Sequence, residues 1–246
     1  VTLWFDHAQV FGRSRGQSAI NLARSFQPDI LVNNRSMAPG DFDTPQQKLG
    51  AFNLERPWEA CMTLGVGWSW RGEKSSSKPL AECLAMLVGC AGGDGNMLLN
   101  IGPGPDGQID PKQVARLEEI GAWLAKYGEA IYGTRGGPYK PSKRMVSTRK
   151  GNTIYLHITG WPQDTLKLPP LPATVRKSSV LTGGAVTVRQ TTDGLEIAVP
   201  ESDRQVMDTI VVLELETPAL QIEPISVEDE MEKGLLQNEP RKSAQL

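Results

Sequence analysis

Histidine is nearly absent from this chain. His7 and His157 are the two in 246 residues, and no Cys/His/Asp group has metal-ligand spacing. The sequence therefore predicts neither a metal centre nor a cofactor. The three cysteines, Cys61, Cys83 and Cys90, lie in apolar segments. Cys83 and Cys90 stand two helical turns apart on one face, which predicts core packing rather than a disulfide, and leaves the redox compartment open. No apolar run approaches the ~20 residues needed to span a bilayer. A net charge of −2 excludes the basic signature of a nucleic-acid or anionic-membrane partner. The chain also lacks an initiating Met and a leader: it opens on Val1 and enters strand-like sequence at once, as a fragment would. No internal repeat is visible.

What is present is a soluble, globular composition, with 39% apolar and 22% charged residues over a length that fits one large domain or two ordinary ones. The best-specified stretch runs from 92 to 138. Residues 96–101, NMLLNI, form a short apolar run between GGDG and GPGPDG, which predicts a buried strand. Asp106-Gly107 supplies a turn. Asp110 then caps a helix, with Pro111 at its first position and Gln113 placed for a capping box. Val114, Leu117, Gly121 and Leu124 predict its apolar face, with Arg116, Glu118 and Glu119 toward water.

The rest of the first 140 residues repeats that alternation. Strands are expected at 2–5, 30–33 and 58–64, and helices at 17–26 and 79–90. The first helix should turn Ile20, Leu22, Ala23 and Phe26 inward, and the second Leu80, Leu84, Leu87 and Val88. A long polar loop is expected from 35 to about 57. Strand–helix alternation implies βα units on a parallel sheet. Four such strands are half of what a (β/α)8 barrel needs. A doubly wound sheet is the alternative, but GGDGN follows a helix rather than a strand, so no Rossmann phosphate loop is present. After 141 the period changes to short alternating runs at 145–149, 153–159, 165–168, 175–181, 186–189, 195–199 and 209–215. Turns are expected at Lys150-Gly151-Asn152 and Asp193-Gly194. Strands without helices predict an antiparallel β-sandwich.

The residues suggest chemistry at two strand ends. Asp6 closes LWFDH, and Trp4 shares its face because residues two apart on a strand point the same way. Arg35 closes VNNR, where a forked guanidinium beside a carboxylate can orient it and hold a sugar oxygen. Taken alone, Asp6 could equally be a cap, Trp4 a core residue and Arg35 a rim ion-pair partner.

Five separated segments carry a family resemblance: LWFDH (3–7), QPDILVNNR (27–35), GDFDTP (40–45), RPWEACMTLGVGWSW (56–70), and GGDGNMLLNIGPGPDG with the following YGEAIYGTRGGP. Together they resemble the α-L-fucosidases of glycoside hydrolase family 29 over residues 1–140. The resemblance implies α/β then all-β architecture. Residues 1–141 would form the C-terminal half of a (β/α)8-type, TIM-like catalytic barrel whose N-terminal half precedes Val1. Residues 142–216 would form a β-sandwich, and 217–246 a mobile tail or the start of a further module.

The same resemblance implies a retaining exo-glycosidase acting on α-L-fucosylated oligosaccharides or glycoconjugates, with no cofactor. For a bacterial member it implies secretion or a periplasmic location. Asp6 would be the nucleophile and Arg35 a sugar contact. Trp4 would be an aromatic wall, and Trp70 would pack on the fucose C5-methyl, with Trp68 as its fallback. The proton donor departs from the pattern. Where relatives carry TPE, this chain reads TPQ, putting Gln46 at the expected acid/base position. An amide cannot deliver a proton, so Glu59, matching a second acidic position of the family, is the substitute candidate as donor or orienting residue. The family's paired histidines fall on earlier strands outside this sequence. Two alternatives stay open: a non-catalytic or vestigial carbohydrate-binding fragment, and activity on a related sugar such as an α-L-galactoside. Oligomeric state is not legible.

Overall fold

The computed structural model describes residues 1–7, 11–161 and 164–228. Its first part alternates strands and helices: β1 (Thr2–Leu3), α1 (Gly12–Phe26), β2 (Leu31–Val32), β3 (Glu59–Thr63), α2 (Leu80–Gly92), β4 (Asn96–Asn100) and α3 (Pro111–Tyr127). Both strand pairs, β1 with β2 and β3 with β4, are parallel. The loop expected at 35–57 is not irregular throughout. Its residues 42–46 run between β2 and β3, parallel to both, through bridges Asn33–Phe42, Asp43–Trp58 and Gln46–Cys61. Asp43 and Pro45 carbonyls accept from the Glu59 and Cys61 amides, each at 2.9 Å. Prolines at 45 and 57 interrupt a regular ladder, which is why the segment lacks a strand signature. The result is one open, curved parallel arc.

Several expectations need correction. Strand β4 is half-exposed rather than buried, with Leu98 40% accessible, because among the described residues it pairs only with β3. Helix α1 starts earlier than expected and buries only Gly16 and Ile20, while Leu22 and Phe26 face solvent. It packs on β2 and the turn after it, through Ile20, Val32 and Ala38, with Gly16 against the Ser36 backbone. In α3 the inward stripe is rotated: Gln113, Ile120 and Trp123 are buried, and Val114 and Gly121 are exposed. No capping box forms there. The Asp110 carboxylate accepts from the Lys112 amide, while the Gln113 side chain accepts from the Gly102 amide. A buried glutamine meeting an orphan loop N–H outcompetes the box.

The second part is all-β. Strands β5 (Arg135–Gly136), β6 (Met145–Lys150), β7 (Thr153–Ile158), β9 (Val175–Val180) and β12 (Thr209–Leu215) make a five-stranded sheet. It runs in the order β5-β6-β7-β12-β9, with antiparallel neighbours. Strands β8 (Leu166–Leu168), β10 (Thr187–Gln190) and β11 (Leu195–Ala198) make a second antiparallel sheet. The two-residue period of β7 explains the layering. Ile154, Leu156 and Ile158 enter the sandwich core with Val211, Leu213, Leu195 and Ile197, each burial contributing roughly 1.5–3 kcal/mol. Tyr155 points the other way, to Leu84, Val88 and Trp123 of the helices. Residues 217–246 were expected as a tail or further module. Within them Ala219 and Ile222 are buried, and their carbonyls accept from the buried Arg149 guanidinium. Residues 229–246 lie outside the described residues.

Helix α2 joins the halves. Cys83, Met86 and Cys90 pack toward the parallel arc, Leu84 and Val88 toward the sandwich. Two residues past its end, Asp94 adopts φ +65° and accepts from both the Arg135 guanidinium and the Gly136 amide of β5. At the amino end of β3, the Trp58 indole donates to the Gly93 carbonyl at 3.2 Å and is enclosed by Gly50, Gly93 and Gly95. A β-carbon at Gly95 would lie 2.3 Å from that ring. Gly95→Ala is therefore expected to destabilise the protein by about 1–3 kcal/mol, read as a lower thermal midpoint. An unchanged midpoint would refute the enclosure. All three cysteines are free and buried, and burial pushes the Cys90 thiol up to about 12. None is expected to react with a thiol reagent before unfolding; native labelling at stoichiometric level would contradict this packing.

Candidate active site

The carboxyl ends of parallel strands open on one rim, so the residues leaving β1 and β2 meet there. Asn33, fully buried just past β2, prolongs the ladder with its side chain. Its amide nitrogen donates to the Phe5 carbonyl and its carbonyl oxygen accepts from the Phe5 amide, both at 2.9 Å. This clamp fixes the backbone immediately before Asp6. The Asp6 side chain then reaches the rim, 49% accessible, where Arg35 Nη1 donates to its Oδ1 at 3.1 Å.

Arg35 is the hub. Its Nε donates to the Thr44 hydroxyl at 2.8 Å, and its Nη2 donates to the Thr44 carbonyl and to Gln46 Oε1 at 3.2 and 2.9 Å. The guanidinium lies over the Trp4 ring, 4.7 Å from its centroid. The Trp4 indole N–H in turn donates to Glu59 Oε1 at 3.0 Å. The Thr44 hydroxyl donates to Asn34 Oδ1, and the Asn34 amide nitrogen donates to Asp43. Five of the six residues singled out from sequence (Trp4, Asp6, Arg35, Gln46 and Glu59) thus belong to one connected group. Trp70 does not join it. It stands further along the same rim, on the loop after β3, against the glycines of the loop after β4. Trp68, its fallback, is 40% exposed, and its carbonyl accepts from Asn100.

Sequence reasoning missed Asn33 and Thr44. Both sit inside the quoted motifs, and the one available signal for Thr44 was a hydroxyl two residues before the expected donor position. Among the described residues no group of three or more His, Cys, Asp or Glu could hold a metal ion.

Electrostatics favour the ionised form of Asp6. Partial burial pushes its carboxyl up, but the His7 amide, the neighbouring imidazole and the Arg35 guanidinium outweigh this and hold it below its ordinary 3.8. Chemically, the group presents an oriented carboxylate, a cation that can share a sugar oxygen, an aromatic surface and a second carboxylate. An ionised carboxylate of this kind can act as a nucleophile.

A family model described as Alpha-L-fucosidase matches residues 2–129. The chain belongs to the α-L-fucosidase family. Tissue α-L-fucosidase of Homo sapiens is 29% identical over 189 residues, covering 70% of this chain and 41% of that protein. The α-L-fucosidase of Branchiostoma floridae is 36% identical over 124 residues, covering 46% and 27%. Among solved structures, α-L-fucosidase isoenzyme 1 from Paenibacillus thiaminolyticus matches with a TM-score of 0.76 and 29% identity, over 87% of this chain and 57% of that one. The Thermotoga maritima α-fucosidase in complex with fucose matches with a TM-score of 0.66 and 26% identity, over 81% and 49%. The chain therefore spans well under half the length of these curated relatives. Its Asp6 group lies within the matched residues, on the family's segment.

One titration tests the electrostatics of this fucosidase-family site. Since Arg35 favours the charged form, Arg35→Gln is expected to raise the Asp6 carboxyl midpoint, measured by carbon NMR of the labelled side chain. In the parent chain Asp6 should titrate below 3.8, and an unshifted midpoint in the variant would show that Arg35 does not act on it.

Proposed function

We propose that this chain carries the nucleophile-bearing half of a retaining exo-α-L-fucosidase that removes terminal α-L-fucosyl residues from glycans. The observation that carries the reading is the Asp6–Arg35 pair, 3.1 Å apart at adjacent strand ends of a chain in this family. Residues 1–141 are the C-terminal half of a (β/α)8-type barrel and 142–216 the β-sandwich, onto which Ala219 and Ile222 pack. Support for a partial barrel comes from the open arc and from the exposed Leu22, Phe26, Leu31 and Leu98, apolar side chains that a closed barrel would cover. Support for the division comes from the change of pairing between the named strands, parallel for β1–β4 and antiparallel for β5–β12.

In this reading Asp6 attacks the anomeric carbon as the glycosidic bond breaks, forming a covalent fucosyl-enzyme that water opens in a second displacement. Arg35 holds the Asp6 carboxylate in line and donates to a sugar oxygen, while Trp4 and Trp70 offer aromatic surface to the substrate. Glu59 protonates the leaving oxygen in the first step and takes a proton from water in the second. Its anchorage on the Trp4 indole puts it in the same group as the nucleophile. Retention requires the two carboxyl groups to approach within about 5–5.5 Å in the substrate complex.

A second reading, a carbohydrate-binding vestige, is favoured by one observation. The Gln46 carbonyl oxygen is engaged by the same guanidinium as Asp6, so an amide occupies the donor position beside the nucleophile. Two substitutions separate the readings in the full polypeptide. If Glu59 is the donor, Glu59→Gln should lower turnover of natural fucosylated glycans by about 10²–10⁴-fold and spare activated aryl fucosides more, while Gln46→Glu does little. If the donor site is Gln46 and is disabled, Gln46→Glu should raise glycan turnover by a similar factor. Should neither change the ratio of glycan to aryl rates, both donor assignments fail.

A further inference from the structure

The Asp6 carboxylate has two oxygens, and they are held differently. Oδ1 takes Arg35, whose other donors are committed to Thr44 and Gln46 and whose side chain is only 18% accessible. Oδ2 faces the next residue in the chain. His7 Nδ1 stands 3.1 Å from it, an ion pair when the imidazole carries its proton. That side chain is 90% accessible, and Asp6 is its only partner among the described residues.

Consecutive residues of an extended chain send their side chains to opposite faces, which would turn His7 away from Asp6. The ring comes back beside the carboxylate because the backbone at His7 is left-handed, with φ +51°. Four described residues other than glycine have positive φ, and three lie on this rim. They are His7 directly after Asp6, Gln47 directly after Gln46, and Met37 two residues past Arg35. Such conformations persist where the surroundings enforce them, and they gather at functional sites. Gln47 is enforced by Thr63, since its side chain donates to the Thr63 hydroxyl and accepts from the Thr63 amide. At His7 the contact that accompanies the turn is the one to Asp6.

With Oδ1 tied to a fixed guanidinium, Oδ2 is the oxygen free to reach carbon once the exposed ring swings aside. In the first step an Oδ2 lone pair forms the bond to the anomeric carbon, while the bond to the departing group breaks and that group keeps the electron pair. The carboxylate becomes an ester and its charge is consumed. In the second step an incoming nucleophile bonds to the same carbon, and the C–Oδ2 electron pair returns to Asp6 as charge. A cation beside Oδ2 stabilises Asp6 only while it is charged. It therefore opposes the first step and assists the second. We infer that His7 is a positioning residue whose charge acts on Asp6 in opposite senses in the two steps, slowing ester formation and hastening ester breakdown. This rests on the fucosidase reading above.

A 2-deoxy-2-fluorofucosyl fluoride is the probe, applied to the full polypeptide in mildly acid buffer, where imidazoles are protonated. Its fluoride leaves without a proton, and azide attacks the resulting ester without a base. Neither rate then depends on which residue is the proton donor. Loss of activity against an aryl fucoside reads ester formation, and its return in azide reads breakdown. Two uncharged variants are compared: His7→Asn, which tolerates the left-handed turn, and His7→Gly, which relieves it. Both should raise the ratio of formation rate to breakdown rate by about three- to fivefold, the reach of an exposed ion pair. His7→Lys, which returns the charge, should reverse most of that rise. Equal changes in the two rates would leave His7 a part of the site's shape alone and overturn the inference. A ratio that His7→Asn and His7→Gly leave unchanged, or that His7→Lys does not bring back, would overturn it as well. If the parent protein neither hydrolyses the aryl fucoside nor takes up the fluorosugar, the fucosidase reading fails and this role falls with it.

Discussion

One guanidinium ties the rim together. Arg35 spends its donors on Asp6 from the end of β1 and on Thr44 and Gln46 from the irregular strand, and it lies flat on Trp4. A planar fork satisfies these directions only in one orientation, so its partners constrain one another. The contact that fixes the direction of Asp6 also joins the His7 amide and imidazole in favouring its ionised form. A lysine there would keep the charge and lose the geometry, because an ammonium has no fixed fork.

Beneath the rim, the frame depends on close approach between elements with little side chain. Trp58 fits because Gly50, Gly93 and Gly95 leave room for its ring, and Gly136 lets β5 come against the end of α2. Helix α2 is buried on two faces, so the parallel arc and the sandwich share one apolar element. Displacing that helix would disturb both cores at once, including the start of β3, where Glu59 sits beside Trp58.

How legible this was depends on the range of the interaction. The β-sandwich strands were readable because two-residue alternation such as Ile154, Leu156 and Ile158 records burial residue by residue. The cap at Asp110 was readable because it is local. What escaped were features set by distant partners. The stretch at 42–46 holds a proline and polar residues, and it bridges in parallel only because β2 and β3 flank it. The inward stripe of α3 was displaced because Gln113, polar by composition, is drawn in by the Gly102 amide. Leu22 and Phe26 looked like core by spacing, but the arc offers nothing to cover them. At the site, Asp6, Arg35, Gln46, Trp4 and Glu59 came from motif resemblance, and spacing alone would not have joined them. Thr44 and Asn33 act through hydrogen bonds to segments far apart in sequence, which no local pattern announces.

The pairing of β5 with β6 bears on how such a chain could be divided. Arg135 and Gly136 lie before the change from helices to strands, yet they form the outer strand of the sandwich sheet and are bound to Asp94 at the end of α2. Arg149, buried in β6, also donates to the Gly136 carbonyl. A sandwich excised at residue 142 would lose its edge strand, leave β6 with bare amides and carbonyls, and strip one acceptor from a buried cation. The seam between the two architectures is therefore not a place where the polypeptide can be parted. Any recombination that moved this β-domain to another protein would have to carry the strand from Arg135 with it.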